Sequence, residues 1–163
     1  MIMEKLSYRE CLTGRRFIIR INPGNKITAS LLDFARSKGL QFASLVSAVG
    51  SVRDVEFTGI HAGAHLPMTE ARFKTNQLEG PLELIGLEGN IAQNAEKELT
   101  GQFYILGSKS GGDVVGGRLV EAEVFTTCEI VLAEYLVKGV ELHHSATSGV
   151  DTIYFEEKSV KLP

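Results

Sequence analysis

Hydrophobic residues alternate with polar residues, or form short continuous runs, along most of the chain, and this pattern is typical of β-strands. The clearest example is RRFIIRI at residues 15–21, which ends at the turn-forming sequence Asn-Pro-Gly. Similar segments follow, and Gly, Pro, Asn or Asp separates many of them. They comprise residues 42–49, 52–60, 71–75, 82–91, 101–106, 114–125, 128–137 and 152–155.

One helix interrupts this succession of strands. From Ile27 to Ala35 the apolar residues recur at helical spacing, Lys38 suits the last turn, and Gly39 can supply a left-handed C-cap. Residues 93–99 are consistent with a short helical turn. Because the strands mostly follow one another without intervening helices, we expect the α+β class, with a largely antiparallel or mixed sheet and one principal helix.

The segment 129–137 carries apolar side chains on both faces of its predicted strand, although Glu134 interrupts one face. The apolar residues are Ile130, Leu132 and Leu136 on one face and Val131, Ala133, Tyr135 and Val137 on the other. Both faces should therefore be covered. A single long helix leaves little to cover the second face, so we expect another subunit to do so.

The composition is that of an ordinary globular protein, with 163 residues, of which 44% are hydrophobic and 23% charged. We expect one domain over residues 1–163, large enough to bury a core without disulfide or metal staples. No apolar run approaches the roughly 20 residues that cross a bilayer, so we expect no membrane contact. Residues 1–12 lack a signal-peptide core, and Cys11 and Cys128 lie in unlike contexts, so we expect a cytoplasmic protein without a disulfide.

Charge is spread unevenly along the chain. The formal net charge is −3, yet residues 1–26 hold six basic and two acidic side chains, whereas residues 121–163 hold three basic and eight acidic ones. The whole-molecule charge does not favour nucleic acid. The candidate contacts with nucleic acid are Arg15, Arg16 and Arg20, of which the last two would share a strand face opposite Arg15. The alternative is that these arginines are simply solvated.

Three segments resemble the plant-and-prokaryote-conserved, or PPC, domain family. They are LEGPLELIGLEGNIA at residues 78–92, VVGGRLVEAEVFTTCEIVL at residues 114–132, and the segment 19–50, which has Pro-Gly after a strand, a helix and then GLQFASLVSAVG. The resemblance extends over about residues 13–156. It implies a compact α+β domain that forms homotrimers through its strands.

The resemblance also implies two kinds of function. Plant members of the family accompany DNA-binding AT-hooks and mediate assembly, and free-standing prokaryotic members are commonly named as candidate DNA-binding proteins. The Arg-Gly-Arg-Pro core of an AT-hook is absent from this sequence. We therefore expect a non-catalytic homotrimer that acts on DNA or on a regulatory protein. The alternative is a protein that binds a small anion, or a degenerate metalloenzyme, with its site between subunits.

Many free-standing members resemble metalloproteins, with His-x-His on one strand and a third His after Gly-Gly. The matching positions here are Gln102, Tyr104 and Arg118. An amide, a phenol and a guanidinium cannot replace three imidazoles around zinc, so we expect no metal, no cofactor and no catalytic residue at this place. These donors instead suit a carboxylate, a phosphate or another anion. The alternative is a structural network in which Arg118 pairs with a nearby glutamate: Glu121, Glu123 or Glu129.

Two other features superficially resemble functional motifs. The sequence has four histidines: His61, His65, His143 and His144. We predict no helix at these positions, so their spacing does not suit metal ligation. We expect them to be ordinary loop or strand residues unless subunits bring them together. The sequence GSKSGG at residues 107–112 superficially resembles a phosphate-binding loop. Because a strand rather than a helix follows it, we expect a hairpin connection.

Overall fold

The computed structural model describes residues 6–156, so Lys5 of the basic segment and the ends of the expected domain 1–163 lie outside the described residues. Its single long helix is α1, Ile27–Ser37. The strands are β1 (Leu12–Ile21), β2 (Phe42–Ile60), β3 (Phe73–Leu78), β4 (Leu82–Gln93), β5 (Leu99–Ser108), β6 (Val114–Leu136), β7 (Val140–Ser145) and β8 (Val150–Phe155), with a 3₁₀ turn at Glu70–Arg72. The expected α+β class is confirmed.

Strands β1 to β6 form one antiparallel sheet that closes on itself. Their order is β1-β6-β5-β4-β2-β3, and an additional pairing joins β6 to β2. The pairings of β6 with β2, β2 with β4, β4 with β5 and β5 with β6 therefore form a closed cycle, which is a small barrel. Strands β7 and β8 form a separate hairpin beside β4. No helix of the described residues is long and apolar enough to cross a membrane.

The helix α1 packs against β5 and β6. Its residues Ile27, Leu31 and Ala35 are completely buried. Gly39 has a φ of +64°, and the N–H of Leu40 donates to the carbonyl of Ala35 at 3.0 Å, as the sequence predicts for a glycine C-cap.

The start of the helix is capped from a distant strand. Its own N-cap residue, Lys26, makes no side-chain cap. The carboxylate of Glu121 on β6 instead accepts hydrogen bonds from the N–H groups of Thr28 (2.8 Å) and Ala29 (3.2 Å). This arrangement satisfies helix donors that have no partner within the helix and fixes α1 against the sheet.

Several predicted segment boundaries are wrong for a common reason. Residues 42–49 and 52–60 are one strand, β2, because the chain passes through irregularities at Gly50 and Asp54 without leaving the sheet. Residues 114–125 and 128–137 are likewise one strand, β6, which ends at Leu136. Long-range pairing overrides the local turn signals at these points.

Local structure also departs from two other predictions. Residues 93–99 contain a hairpin turn rather than a helical one, because the side-chain oxygen of Asn94 accepts from the N–H groups of Glu96 and Glu98. The segment 71–75 begins in the 3₁₀ turn and enters β3 only at residue 73. Strand β7 was not predicted. The segment 107–112 contains the end of β5 and the hairpin loop that leads to β6, as predicted.

The face of β1 and β6 that points away from α1 is open in the single chain. On β1, Phe17 and Ile19 pack against the core, so the intervening Ile18 points outward and is 90% exposed. Ile18 lies opposite Val131 on β6, which is only partly covered. Ala133, also predicted for this face, is completely buried within the chain. The second face of β6 is therefore only partly covered by the chain itself.

The buried carboxylate of Glu134 joins β6 to β1. Glu134 is 7% exposed and accepts from the side chain of Arg15 at two oxygens (2.7 and 2.8 Å) and from its backbone N–H at 3.0 Å. The same guanidinium donates to the carbonyl of Lys38 just after α1. A Cβ on Gly14 would lie 2.7 Å from the carboxylate, so glycine leaves the space that the pair occupies.

The hydrogen bonds from Arg15 lower the pKa of Glu134 from 4.5 to about 2, although burial opposes the shift. A carboxylate with a lowered pKa in the folded chain stabilises it above its ordinary pKa and loses that contribution as the pH falls toward the lowered value. The Glu134→Gln variant should therefore lack a stability loss that the wild type shows between pH 4.5 and about 2. Because Arg15 is half-exposed, we expect this loss to be about 1–3 kcal/mol. Urea unfolding across that pH range, with Asp33→Asn as an exposed control, measures it. Parallel wild-type and Glu134→Gln curves would contradict the prediction.

Candidate ligand-binding cleft

Three sequence-predicted residues line one cleft. Tyr104 on β5 lies directly opposite Arg118 on β6, and Arg118 lies opposite Thr58 on β2. Gln102 is two residues from Tyr104 and so shares its strand face. All four residues line a cleft of about 690 Å³, which a single chain forms. We call it the Arg118 cleft.

Two consecutive glycines allow the three strands to approach closely at this point. A Cβ on Gly116 would overlap the carbonyl oxygen of Ile105 on β5, and a Cβ on Gly117 would lie 2.5 Å from the carbonyl oxygen of Thr58 on β2. Only glycine fits such an approach of backbones. The Gly-Gly of the sequence therefore positions the residue that follows it, Arg118, between β5 and β2.

A loop and a hairpin form the walls of the cleft. The loop at residues 61–69 follows β2, and the turn between β7 and β8 faces it. The N–H of Met68 donates to the carbonyl of Ser148 at 2.8 Å. Gly149 has a φ of +74°, and a Cβ there would overlap the backbone of Met68. The two walls are thus fastened together at one end.

The loop is also fastened from within. The guanidinium of Arg72 donates to the carbonyl oxygens of His65 and Pro67, the latter at 2.7 Å. On the opposite side, the side-chain amide of Gln102 donates to the backbone oxygen of Asp151 at 3.1 Å, which ties the hairpin to β5. The cleft therefore has walls whose positions are fixed by hydrogen bonds.

Arg118 does not pair with the glutamates that the sequence suggested. Glu121 caps α1, and Glu123 accepts from Arg53 at 2.7 Å. That hydrogen bond lowers the pKa of Glu123. Glu129 lies further along β6, opposite Arg20. Within residues 6–156, no carboxylate forms an ion pair with Arg118. The prediction that Arg118 pairs with one of these glutamates is therefore wrong.

The histidines lie in four different environments. His65 lines the Arg118 cleft, and His61 is exposed at the start of the same loop. On β7, the ring of His143 stacks on Tyr154 with its Nε2 3.0 Å from Glu141. His144 Nδ1 lies 3.3 Å from the carboxylate of Asp151, a residue of the cleft wall. Sequence spacing gave no signal that His65 and Asp151 would meet in one cleft, because tertiary folding of two loops brings them there.

Gln102, Tyr104 and Arg118 in the cleft do not suit a metal ion. In the described part of the chain, no three His, Cys, Asp or Glu residues are grouped as metal ligands. The side chains that face one another are instead an amide, a phenol and a guanidinium, and the permanent positive charge of Arg118 opposes a cation. The arrangement is suited to bind a ligand that accepts hydrogen bonds and carries a negative charge.

The three arginines predicted to contact nucleic acid differ in whether their side chains are already held within the chain. Arg15 is held by Glu134 and by the end of α1. Arg16 and Arg20 are exposed and share the outward face of β1, as predicted, with Ile18 between them. Glu129 lies opposite Arg20 on the neighbouring strand and reduces the positive charge there.

Comparisons with known proteins agree with this fold. The family model "Plants and Prokaryotes Conserved (PCC) domain" matches residues 8–136. The chain is similar to a plant- and prokaryote-conserved protein of Pyrococcus horikoshii, with a TM-score of 0.76 and 22% identity over 95% of this chain and all of that one. No curated protein matches the chain.

Two further solved structures have the same fold. A metal-containing protein of Archaeoglobus fulgidus has a TM-score of 0.79 and 24% identity over 93% of this chain and all of that one. A Bacteroides thetaiotaomicron protein named "putative DNA-binding protein" has a TM-score of 0.74 and 17% identity over 90% of this chain and 99% of that one. At these identities the likeness concerns the fold alone.

The Gly117→Ala variant tests the close approach of β6 and β2. Its methyl group would press on the carbonyl of Thr58 and the ring of Phe57, so the strands must separate. We expect a loss of about 1–3 kcal/mol in the free energy of unfolding, measured by urea denaturation. Gly111→Ala is the matched control, because nothing lies within 4 Å of a Cβ at that loop position. Equal stability of the two variants would contradict the prediction.

Proposed function

The chain belongs to the Plants and Prokaryotes Conserved domain family, and from that premise we propose that it is a non-catalytic homotrimer that binds a small anionic molecule in the Arg118 cleft. One observation carries the proposal. Arg118 lies at the cleft beside Gln102 and Tyr104 without a carboxylate partner among residues 6–156. An arginine in such a position has its charge available to a ligand.

The chemistry of these side chains favours binding over catalysis. A guanidinium stays charged at any physiological pH and can donate two parallel hydrogen bonds to a carboxylate or phosphate. The hydroxyl of Tyr104 and the second hydrogen of the Gln102 amide, whose first donates to Asp151, add neutral donors. Because neither the guanidinium nor the amide exchanges protons near neutral pH, they hold a ligand rather than transform it.

The homotrimer has support from the open sheet face. Ile18 is 90% exposed on β1 beside the partly covered Val131. On β2, Val46 and Val49 are also exposed. A second copy of the chain would remove these side chains from water, which is favourable in proportion to the apolar area buried. The number of three copies comes from the family resemblance of the sequence.

DNA binding is a second candidate function, because a structural neighbour is named "putative DNA-binding protein". Arg16 and Arg20 are its best contacts, since Arg15 is held by Glu134. The formal charge of −3 per chain and the position of Glu129 both weaken attraction to phosphate. We therefore rank DNA, or a regulatory protein, below the small anion as a partner.

We also propose a cytoplasmic location, which the cysteines support. Cys11 is exposed and free, and Cys128 is buried and free. Burial raises the pKa of Cys128 to about 11, which keeps it an unreactive thiol. A free exposed cysteine is typical of a reducing compartment.

The Arg118→Gln variant tests the anion site. A thermal-shift screen of phosphate, citrate and benzoate against chloride at equal ionic strength should show stabilisation of the wild type, by about 2.7 kcal/mol at 100 times the dissociation constant. The stabilisation by anions should be lost in Arg118→Gln, because this variant lacks the only charged side chain among Gln102, Tyr104 and Arg118. Arg16→Gln, which removes a charge outside the cleft, should keep it. No shift with any anion, or an unchanged shift in Arg118→Gln, would contradict the proposal.

The Ile18→Asp variant tests the assembly. Light scattering at micromolar concentration should give the wild type three times the chain mass of 17.8 kDa. Ile18→Asp should shift the protein to a smaller species, because a charge would be buried in the contact. Ile153→Asp on the separate β7–β8 hairpin is the control and should stay a trimer. A wild-type monomer would rule the homotrimer out.

A further inference from the structure

The Arg118 cleft has two chemically different ends. The polar end consists of Gln102, Tyr104 and Arg118 on the barrel strands. The other end is apolar, although it faces solvent. Its residues are Ile60, Leu66, Met68, Phe73 and Val150.

The apolar end is exposed to an unusual degree. Ile60 is 67% exposed and Leu66 is 63% exposed, yet both line the cleft rather than pack into the core. Large apolar side chains that converge on a cleft and remain uncovered commonly mark a binding site. A ligand body of apolar character would bury them.

The apolar end is also held in place. Ile60 and Phe73 are directly opposite each other on β2 and β3. The loop that carries Leu66 and Met68 is fixed by the guanidinium of Arg72 and by the hydrogen bond from Met68 to Ser148. A site whose walls are already ordered loses less entropy when a ligand binds.

The charges around the cleft limit the ligand to a single negative charge. Arg118 is the one arginine or lysine among the residues that line it, whereas Asp151 contributes a carboxylate on the hairpin wall. A second negative charge on the ligand would find no further arginine or lysine in the lining and would approach Asp151. A carboxylate fits this balance better than a phosphate dianion, which needs more positive donors.

We propose that the ligand is a small monocarboxylic acid with an apolar chain or ring, an inference that rests on the proposed function. Its carboxylate binds Arg118, with Gln102 and Tyr104 as further donors. Its apolar body lies against Ile60, Leu66, Met68 and Phe73. A cleft of about 690 Å³ is within the usual range for sites that enclose such molecules.

A chain-length series tests this ligand class. Calorimetric titration of the full-length protein with acetate, butanoate, hexanoate and octanoate, at equal ionic strength, should show affinity that rises up to about fourfold for each buried methylene. Phosphate should bind more weakly than octanoate. Octanol, which has the same chain length without the charge, should bind at least tenfold more weakly than octanoate.

Two variants separate the ends of the cleft. Arg118→Gln should reduce octanoate affinity at least tenfold. Leu66→Ser should flatten the dependence of affinity on chain length. Leu12→Ser is the matched control, because Leu12 is 69% exposed and lies outside the cleft. Unliganded melting temperatures close to the wild type establish that each variant is folded, and Ile60→Thr replaces Leu66→Ser if that variant is not.

The outcomes distinguish this inference from the proposed function. If all anions depend on Arg118 but octanoate binds no more tightly than acetate or phosphate, the apolar ligand class is wrong and the anion site stands. If octanol binds as tightly as octanoate, or Arg118→Gln has no effect, the anion site is wrong as well. If neither the acids nor phosphate binds, both are wrong.

Discussion

The close approach of β6 to both of its neighbours at Gly116 and Gly117 is the constraint on which the rest of the structure depends. Strand β6 pairs with β5 on one edge and with β2 on the other at this point, and any side chain larger than hydrogen would hold the backbones apart. The approach closes the barrel around its core. It also places Arg118 between Tyr104 and Thr58, so the condition for closing the fold is the condition for building the cleft.

The distribution of carboxylates determines which arginine is available to a ligand. Glu134 holds Arg15, and Glu123 holds Arg53, so each of these pairs fastens one part of the sheet to another. Glu121, which lies only three residues from Arg118, is committed to the start of α1. These acids secure the helix and the contacts of β6 with β1 and β2, and none of them pairs with Arg118. The availability of the Arg118 charge is therefore a consequence of how structural charges are paired elsewhere.

The sequence predicts those features that local spacing determines. Helix α1 and its Gly39 cap follow from a 3.6-residue periodicity, and the grouping of Gln102 with Tyr104 follows from the two-residue period of a strand. The continuity of β2 through Gly50 and Asp54 could not be predicted, because turn-forming residues at those positions are held in the sheet by pairing with distant strands. The partners of Arg118 were wrongly predicted for the same reason. Sequence proximity suggested Glu121 and Glu123, whereas tertiary contacts assign them to α1 and Arg53.

The β7–β8 hairpin begins at Val140, beyond residue 136, where the match to the family model ends. It nevertheless supplies Ser148, Val150 and Asp151 to the Arg118 cleft. The barrel and Arg118 thus belong to the part of the chain that the family model matches. One wall of the Arg118 cleft belongs to the part that follows it. Substitutions in the hairpin can reshape the cleft without disturbing the core of the barrel.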